Sequence, residues 1–116
     1  MENKIFNKVS GDSAEETAIK FLKRKKYKII EKKYKNKLGE IDIIAKDKDV
    51  YVFIEVKFRK NDYFGLPREF VNNQKQFIIR KVATQYITTK KLFNVTCRFD
   101  VIEILGSEIT HIEDCF

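Results

Sequence analysis

Glu40-Ile-Asp-Ile-Ile-Ala45 and Val50-Tyr-Val-Phe-Ile-Glu-Val-Lys57 are two apolar, β-branched runs separated by the polar tetrapeptide Lys46-Asp-Lys-Asp49. Such runs suit the pleated, half-buried surface of a strand. The connector is of the kind that closes a hairpin, and because it lacks Gly and Asn it fits a four-residue loop better than a tight primed turn. Successive side chains of a strand point to opposite faces, so Glu55 and Lys57 share one. A symmetric loop then sets Asp42 across from Glu55, Glu40 across from Lys57 and Ile44 across from Phe53. The resulting face reads apolar near the turn and charged away from it, and a one-residue slip would destroy it.

Two carboxylates opposed on neighbouring strands repel unless something positive sits between them. A divalent cation supplies that charge. Magnesium takes hard oxygen ligands at about 2.0–2.1 Å and typically uses one or two carboxylates, which is what Asp42 and Glu55 offer. Neither Cys97 and Cys115 nor the single histidine, His111, is placed to make a zinc site. The same residues also admit a bland reading, in which Glu40 pairs with Lys57 while Asp42 and Glu55 stand at a solvated sheet end. A D-x(12)-E-x-K pattern by itself does not separate the two, because acids and lysines are abundant in this chain.

At 116 residues, 43% hydrophobic and 13% aromatic, the chain is one domain's worth with enough apolar surface for a core, which argues against disorder. No stretch approaches a membrane span, and the N-terminal Met1-Glu-Asn-Lys-Ile-Phe-Asn-Lys8 lacks the apolar centre of a secretory signal. The expected location is the cytoplasm, without membrane attachment. Lys and Arg total 24 against 17 acids, a formal charge of +7 that favours polyanionic partners. The excess is concentrated in Lys23, Arg24, Lys25, Lys26, Lys28, Lys32, Lys33, Lys35 and Lys37, interrupted by Tyr27 and Tyr34, as on a phosphate-tracking surface. Lysines that merely solvate the surface would give the same composition. The two cysteines are far apart and read as free, mostly buried thiols. His111 sits in the alternating run Ile109-Thr-His-Ile112, at a half-exposed strand position with no assigned role.

No Pro/Gly/Ser linker or internal repeat divides the chain. A first helix is expected from about Ser10 or Asp12 to Lys26, with Ala14, Ala18, Phe21 and Leu22 on its apolar face. Tyr27 to Tyr34 reads as a strand joined to that of Asp42 through Asn36-Lys-Leu-Gly39. After Lys57 a loop from Phe58 to Leu66 leads to Pro67, the one proline, suited to the first turn of a helix. That second helix is expected to run to Thr89 with Val71, Ile78, Ile79, Val82 and Tyr86 on one stripe. Lys75 projects from the same side, either to snorkel outward or to reach the carboxylates. Thr96 to Leu105 and Glu108 to Ile112 read as a hairpin turning at Gly106-Ser107. The order is α-β-β-β-α-β-β, an α/β fold.

This order, with Asp on the second strand and Glu-x-Lys on the third, is similar to the restriction-endonuclease-like, or PD-(D/E)xK, nuclease core with its mixed central sheet flanked by helices. More closely, the chain resembles the YraN family of small bacterial endonuclease-like proteins. The resemblance is carried by Gly11-x-x-x-Glu15-x-x-Ala18 followed by Phe21-Leu22, by Gly39-Glu-Ile-Asp-Ile-Ile-Ala45 and by Phe53-Ile-Glu-Val-Lys57. Phe64-Gly65, Pro67, Lys75-Gln76, Arg98-Phe-Asp-Val101 and His111-Ile-Glu-Asp-Cys-Phe116 fit the later landmarks. Ala14 stands where the family usually has Gly, and Cys115 where a small Ala is usual.

The resemblance implies a magnesium- or manganese-dependent endonuclease acting on DNA rather than RNA, selective for branched or single-stranded structure more than for sequence. In that reading Asp42, Glu55 and the backbone carbonyl of Val56 hold the metal. Lys57 positions a water or neutralises charge on the phosphate, Glu15 holds a metal-bound water or second ion, and Glu40 completes the acidic set. Lys75, Arg59, Lys37, Lys35 and Arg68 contact nucleic acid. Small nucleases of this class often pair two copies to address two strands, so a homodimer is compatible with the fold. The competing readings are a nucleic-acid-binding module that keeps the fold without cutting and, third, a protein-interaction adaptor.

Overall fold

Alternating and continuous apolar runs become strands here, and the 3.6-residue patterns become the helices that cover them. The computed structural model describes residues 12–60 and 72–116. Within them the chain runs α1 (Asp12–Arg24), β1 (Lys28–Asn36), β2 (Gly39–Asp47), β3 (Val50–Arg59), α2 (Asn73–Thr89), β4 (Thr96–Leu105) and β5 (Glu108–Ile112), the expected order. The strands form one mixed sheet in the order β1-β2-β3-β4-β5. β1–β2, β2–β3 and β4–β5 are antiparallel, and β3–β4, joined through α2, is parallel. A parallel pair needs such a crossover, whereas antiparallel neighbours need only a turn.

The two helices cover opposite faces. Ala14, Ala18, Ile19 and Leu22 of α1 pack with Ile43, Ala45, Val52, Ile54, Ile102 and Ile104, while Ile79, Val82, Ala83 and Tyr86 of α2 pack with Ile41, Ile44 and Phe53. Ala14, Ala18, Leu22, Ile79, Val82 and Tyr86 are positions that the sequence predicts; Ile19 and Ala83 join them, and Phe21 and Ile78 are only partly buried. Val71, Pro67 and the Phe64 loop lie outside the described residues together with Ser10 and Gly11.

Several boundaries differ from expectation for identifiable reasons. α1 stops at Arg24 because Lys26 takes a left-handed φ of 73°, and the N–H groups of Lys26 and Tyr27 return to the carbonyls of Lys23 and Leu22, both at 3.0 Å. This is the Schellman arrangement, with Tyr27 and Leu22 closing it in the core. α2 begins at Asn73 rather than Pro67. Asn72 is extended (φ −76°, ψ 174°) and its Oδ1 accepts from the N–H of Lys75 at 2.8 Å, an N-cap that fixes the start. The β2–β3 connection is tighter than the four-residue loop expected: Asp47 pairs with Val50, leaving Lys48 and Asp49 as the turn. Lys48 takes φ 57° without the Gly or Asn that usually supplies it. The turn stays symmetric, so Ile44 still pairs with Phe53 as predicted.

Gly39, where the β1–β2 turn meets α2, permits a close approach. A Cβ built there would lie 2.6 Å from Ile78 Cγ2 and 3.3 Å from Val82 Cγ2. Gly106, at φ 61°, makes the two-residue turn between β4 and β5, and its N–H donates to the Arg59 carbonyl at 2.8 Å.

Candidate functional site

The ladder between β2 and β3 ends at Ile43 and Ile54, one step short of Asp42 and Glu55. Beyond that step, strict alternation fails. Ile43 and Ala45 pack beneath α1, but Ile41 packs on the α2 face beside Ile44, so residues 41 and 43 of one strand face opposite sides. β1 reverses at the same place: Lys32 reaches Glu16 of α1 at 3.9 Å, whereas Tyr34 packs edge-on against Tyr86 of α2. Between them Lys33, across from Asp42, takes a left-handed φ of 50°. A positive φ at a non-glycine residue within a strand is unusual and strained, and such residues cluster at functional sites.

The reversal turns the Asp42 carboxylate into the plane of the sheet. Its Oδ2 accepts from the N–H of Val56 at 2.8 Å. By register Val56 is the residue that would face Ile41, so the carboxylate takes the place of a ladder carbonyl. The N–H and C=O of one strand residue point to the same edge, so the Val56 carbonyl is directed toward this gap as well. Asp42 and Glu55 therefore meet, though not as the two opposed side chains of a regular hairpin face.

Glu55 is 5% exposed. Its Oε2 lies 2.8 Å from Lys75 Nζ and 3.4 Å from Lys57 Nζ. Lys75 thus reaches the carboxylates rather than snorkelling away. Burial, the charge of Glu55 beside it, the charge of Glu15 and a hydrogen bond between the two carboxyls push the Asp42 pKa up to about 7, against the lowering effect of the Val56 N–H. Burial pulls the Lys75 ammonium down, but its hydrogen bond to Glu55 and the charges of Glu55, Asp42 and Glu40 hold it above the usual lysine value. An acid pair that retains a proton near neutrality, beside two lysines, is short of positive charge.

Ala14, Glu15, Asp42, Glu55, Val56, Lys57, Phe58 and Lys75 line one cleft of about 320 Å³. Glu40 stands outside it, exposed on β2 beside Lys35 of β1. The expected facing of Glu40 and Lys57 does not form because the ladder has already ended, and Lys57 pairs with Glu55 instead. Lys35 and Lys37 are exposed near the β1–β2 turn. Arg59 differs from the surface contact expected of it: its guanidinium nitrogens are buried. Arg68 lies outside the described residues.

Two carboxylates and a carbonyl are hard oxygen donors, and the raised Asp42 pKa is the signature of a pair that a cation would relieve, so the residues fit magnesium or manganese. The set is small. Among the described residues no three His, Cys, Asp or Glu side chains close on one point, which leaves Glu15 lining the cleft without joining Asp42 and Glu55 as a third ligand.

Two features had little signal in the sequence. Glu103, 6% exposed, is the in-register neighbour of Lys57 on β4, hidden in the apolar run Val101-Ile-Glu-Ile-Leu105. Toward the other end of the sheet, fully buried Asp100 accepts from Arg98 at 2.9 Å, from His111 Nε2 at 2.7 Å and from the Asp114 N–H at 2.9 Å. Arg98 also donates to the Tyr27 hydroxyl at 2.7 Å, and Lys25 Nζ lies 2.8 Å from His111 Nδ1. An ammonium only donates, so Nδ1 accepts and Nε2 carries the proton given to Asp100. His111 as a whole is half-buried, as its strand position suggested, but its side chain is only 3% exposed. The spacing Arg98-x-Asp100, two residues on one strand face, is the one sequence signal for this cluster. Cys97 and Cys115 are both half-buried.

A mixed sheet in the order α-β-β-β-α-β-β, with an acid on β2 meeting an acid and a lysine on β3, places the protein in the restriction-endonuclease-like class of α/β folds. The chain belongs to the uncharacterised protein family UPF0102, the YraN family that the sequence resembles, with the match covering residues 14–104. It is 45% identical to the UPF0102 protein of Clostridium beijerinckii (strain ATCC 51743 / NCIMB 8052), over 97% of each chain. It is 47% identical to the UPF0102 protein of Clostridioides difficile (strain 630), over 95% of this chain and 98% of that one. With the UPF0102 protein of Geotalea daltonii (strain DSM 22248 / JCM 15807 / FRC-32) it shares 44% identity over 99% of this chain and 94% of the other. No helix among the described residues is long and apolar enough to cross a membrane.

Proposed function

We propose that this protein hydrolyses phosphodiester bonds in DNA with a divalent metal, selecting branched or single-stranded structure over sequence. The observation that carries the reading is the meeting of Asp42 and Glu55 beside Lys57 and Lys75 in one cleft. Asp42, Glu55 and the Val56 carbonyl would hold magnesium or manganese, which when bound lowers the pKa of a water and polarises a phosphate. Asp42 is held in line by the Val56 N–H, so its second oxygen is the one presented to the cleft. Lys57, with 23% of its side chain exposed, is the ammonium that orients the attacking water or offsets charge gathering on the phosphate. Lys75, 44% exposed, can exchange its bond to Glu55 for a bond to a phosphate oxygen while keeping the site close to neutral. The +7 charge supplies sequence-independent attraction to the backbone.

The Lys75–Glu55 contact at 2.8 Å also favours a second reading, because an ammonium already occupies part of the position a cation would take. A nucleic-acid-binding module that keeps the fold without cutting is the alternative. Labelled duplex, single-stranded and branched DNA, and RNA, incubated in magnesium and in manganese with wild type and with Glu55→Ala separate the two. Cleavage of branched or single-stranded DNA by wild type alone is the expected result. Binding without cleavage in either metal, together with a melting temperature unmoved by millimolar metal, returns the binder.

A further inference from the structure

The outward side of α2 and the β1–β2 turn form a groove of about 500 Å³ lined by Leu38, Phe77, Arg80, Lys81, Thr84, Gln85 and Thr88. Two of its residues are large, apolar and exposed: Phe77 at 59% and Leu38 at 47%. Leaving an aromatic ring in water forgoes the gain of burying it, so an exposed Phe beside a second apolar side chain asks for a ligand. The polar lining is cationic or neutral, with no acid. Lys81 Nζ lies 4.9 Å from the Phe77 ring centroid, and the Arg80 guanidinium lies 4.8 Å from that of Phe99. Phe77 thus has one cation over its ring and a second, stacked on Phe99, one helical turn along, a set that matches an anionic backbone carrying flat apolar bases.

Position supports the same ligand. Leu38, in the β1–β2 turn, precedes Asp42 by four residues, at most about 13 Å at the rise of a strand, a distance covered by about four stacked nucleotides of one strand. Lys75 and Phe77 both stand in the first turns of α2, on opposite sides of it, so a strand leaving the cleft reaches the groove by passing the start of the helix. We infer that the groove holds an unpaired nucleotide of the strand whose phosphate lies at the acidic pair, with its base stacked on Phe77 and its phosphates met by Lys81 and Arg80. This rests on the proposed function and deepens it. A ring can stack only on a base that has left the duplex, so the substrate carries a single-stranded segment within a few nucleotides of the cleaved bond.

The chain contains no tryptophan, so Phe77→Trp places a single indole in the groove. Titration of that variant with oligothymidylate in EDTA, where no hydrolysis occurs, is expected to quench and saturate its emission, while a blunt duplex leaves it unchanged. Phe77→Ala and Phe77→Leu, read by anisotropy of labelled oligothymidylate, are each expected to weaken binding about tenfold, since a stacking partner rather than apolar bulk is lost. Emission that ignores an oligonucleotide bound by wild type, or equal binding by all Phe77 variants, overturns the inference. So does a change in sedimentation of Phe77→Ala with oligonucleotide affinity intact, which assigns the groove to a second copy of the chain. Wild-type cleavage with insensitive Phe77 variants removes the stacking site alone, whereas quenching without cleavage removes hydrolysis alone.

Discussion

Asp42 is the residue on which the site turns, and its ionisation has a definite sign. Its folded pKa, about 7, lies above the ordinary 3.8, so between those values the metal-free folded state holds more protons than the unfolded state. The contribution of this carboxyl is therefore complete below pH 3.8 and is lost as pH rises toward 7. Asp42→Asn removes the charge and keeps the shape, so at pH 8 without metal the variant should melt higher than wild type by about 4–8 °C, which corresponds to about 1 kcal/mol. At pH 5 the difference should shrink. Melting curves at the two pH values check this, and a gap that does not change with pH would mean that the carboxyl is not held protonated. That Asp42, Glu55 and Lys57 come together was legible in their spacing. The in-plane direction of Asp42 was not, because it follows from the backbone of Lys33 on a different strand.

The paired reversal of β1 and β2 is an element-scale device. A lysine in the left-handed region costs about 1–2 kcal/mol relative to glycine, although glycine returns part of that in chain entropy. Lys33→Gly should consequently leave stability equal or raise it by up to about 1 kcal/mol, whereas Lys33→Val, a β-branched residue unsuited to positive φ, should lower it by about 1–3 kcal/mol. Urea denaturation of both variants is the measurement, and equal loss in the two would remove the strain. Gly39 tests the seam between the β1–β2 turn and α2. A methyl group 2.6 Å from Ile78 Cγ2 must displace that side chain, and Gly39→Ala should cost about 1–3 kcal/mol in the same assay. At this scale the existence and type of every described element were readable from periodicity. The start of α2 was not, because Asn72 caps the helix by a hydrogen bond that the more conspicuous Pro67 obscured. The two-residue turn at Lys48-Asp49 was likewise hidden, since it uses a lysine in a conformation normally given to Gly or Asn.

Over the whole molecule, Asp100 joins the C-terminal segment to the sheet and to the end of α1. Burial raises its pKa, but bonds from His111, Arg98 and the Asp114 N–H outweigh that and hold it below the ordinary value. Its stabilising contribution is thus present above pH 3.8 and is lost as pH falls below it, opposite in sign to that of Asp42. Asp100→Asn leaves Arg98 without its buried partner and should cost about 3–5 kcal/mol, seen as a lower urea midpoint with an unchanged slope. Part of the basic excess has a structural role, because Lys28, Lys32, Lys33 and Lys35 lie on β1, an edge of the sheet, where lysines discourage pairing with another chain.

By itself the sequence determined the order of elements, the hairpin register near the turn, most of the stripe each helix buries, and the acids and lysine that the fold brings together. All of these follow from local periodicity and short spacing along one or two adjacent strands. Only the tertiary structure decided that the alternation breaks at Asp42, that Lys75 reaches Glu55, that Arg59 turns inward, and that Phe77 and Leu38 share a groove. Each of those depends on segments distant in the chain packing together, and the direction of a side chain there is set by neighbours that no local pattern names.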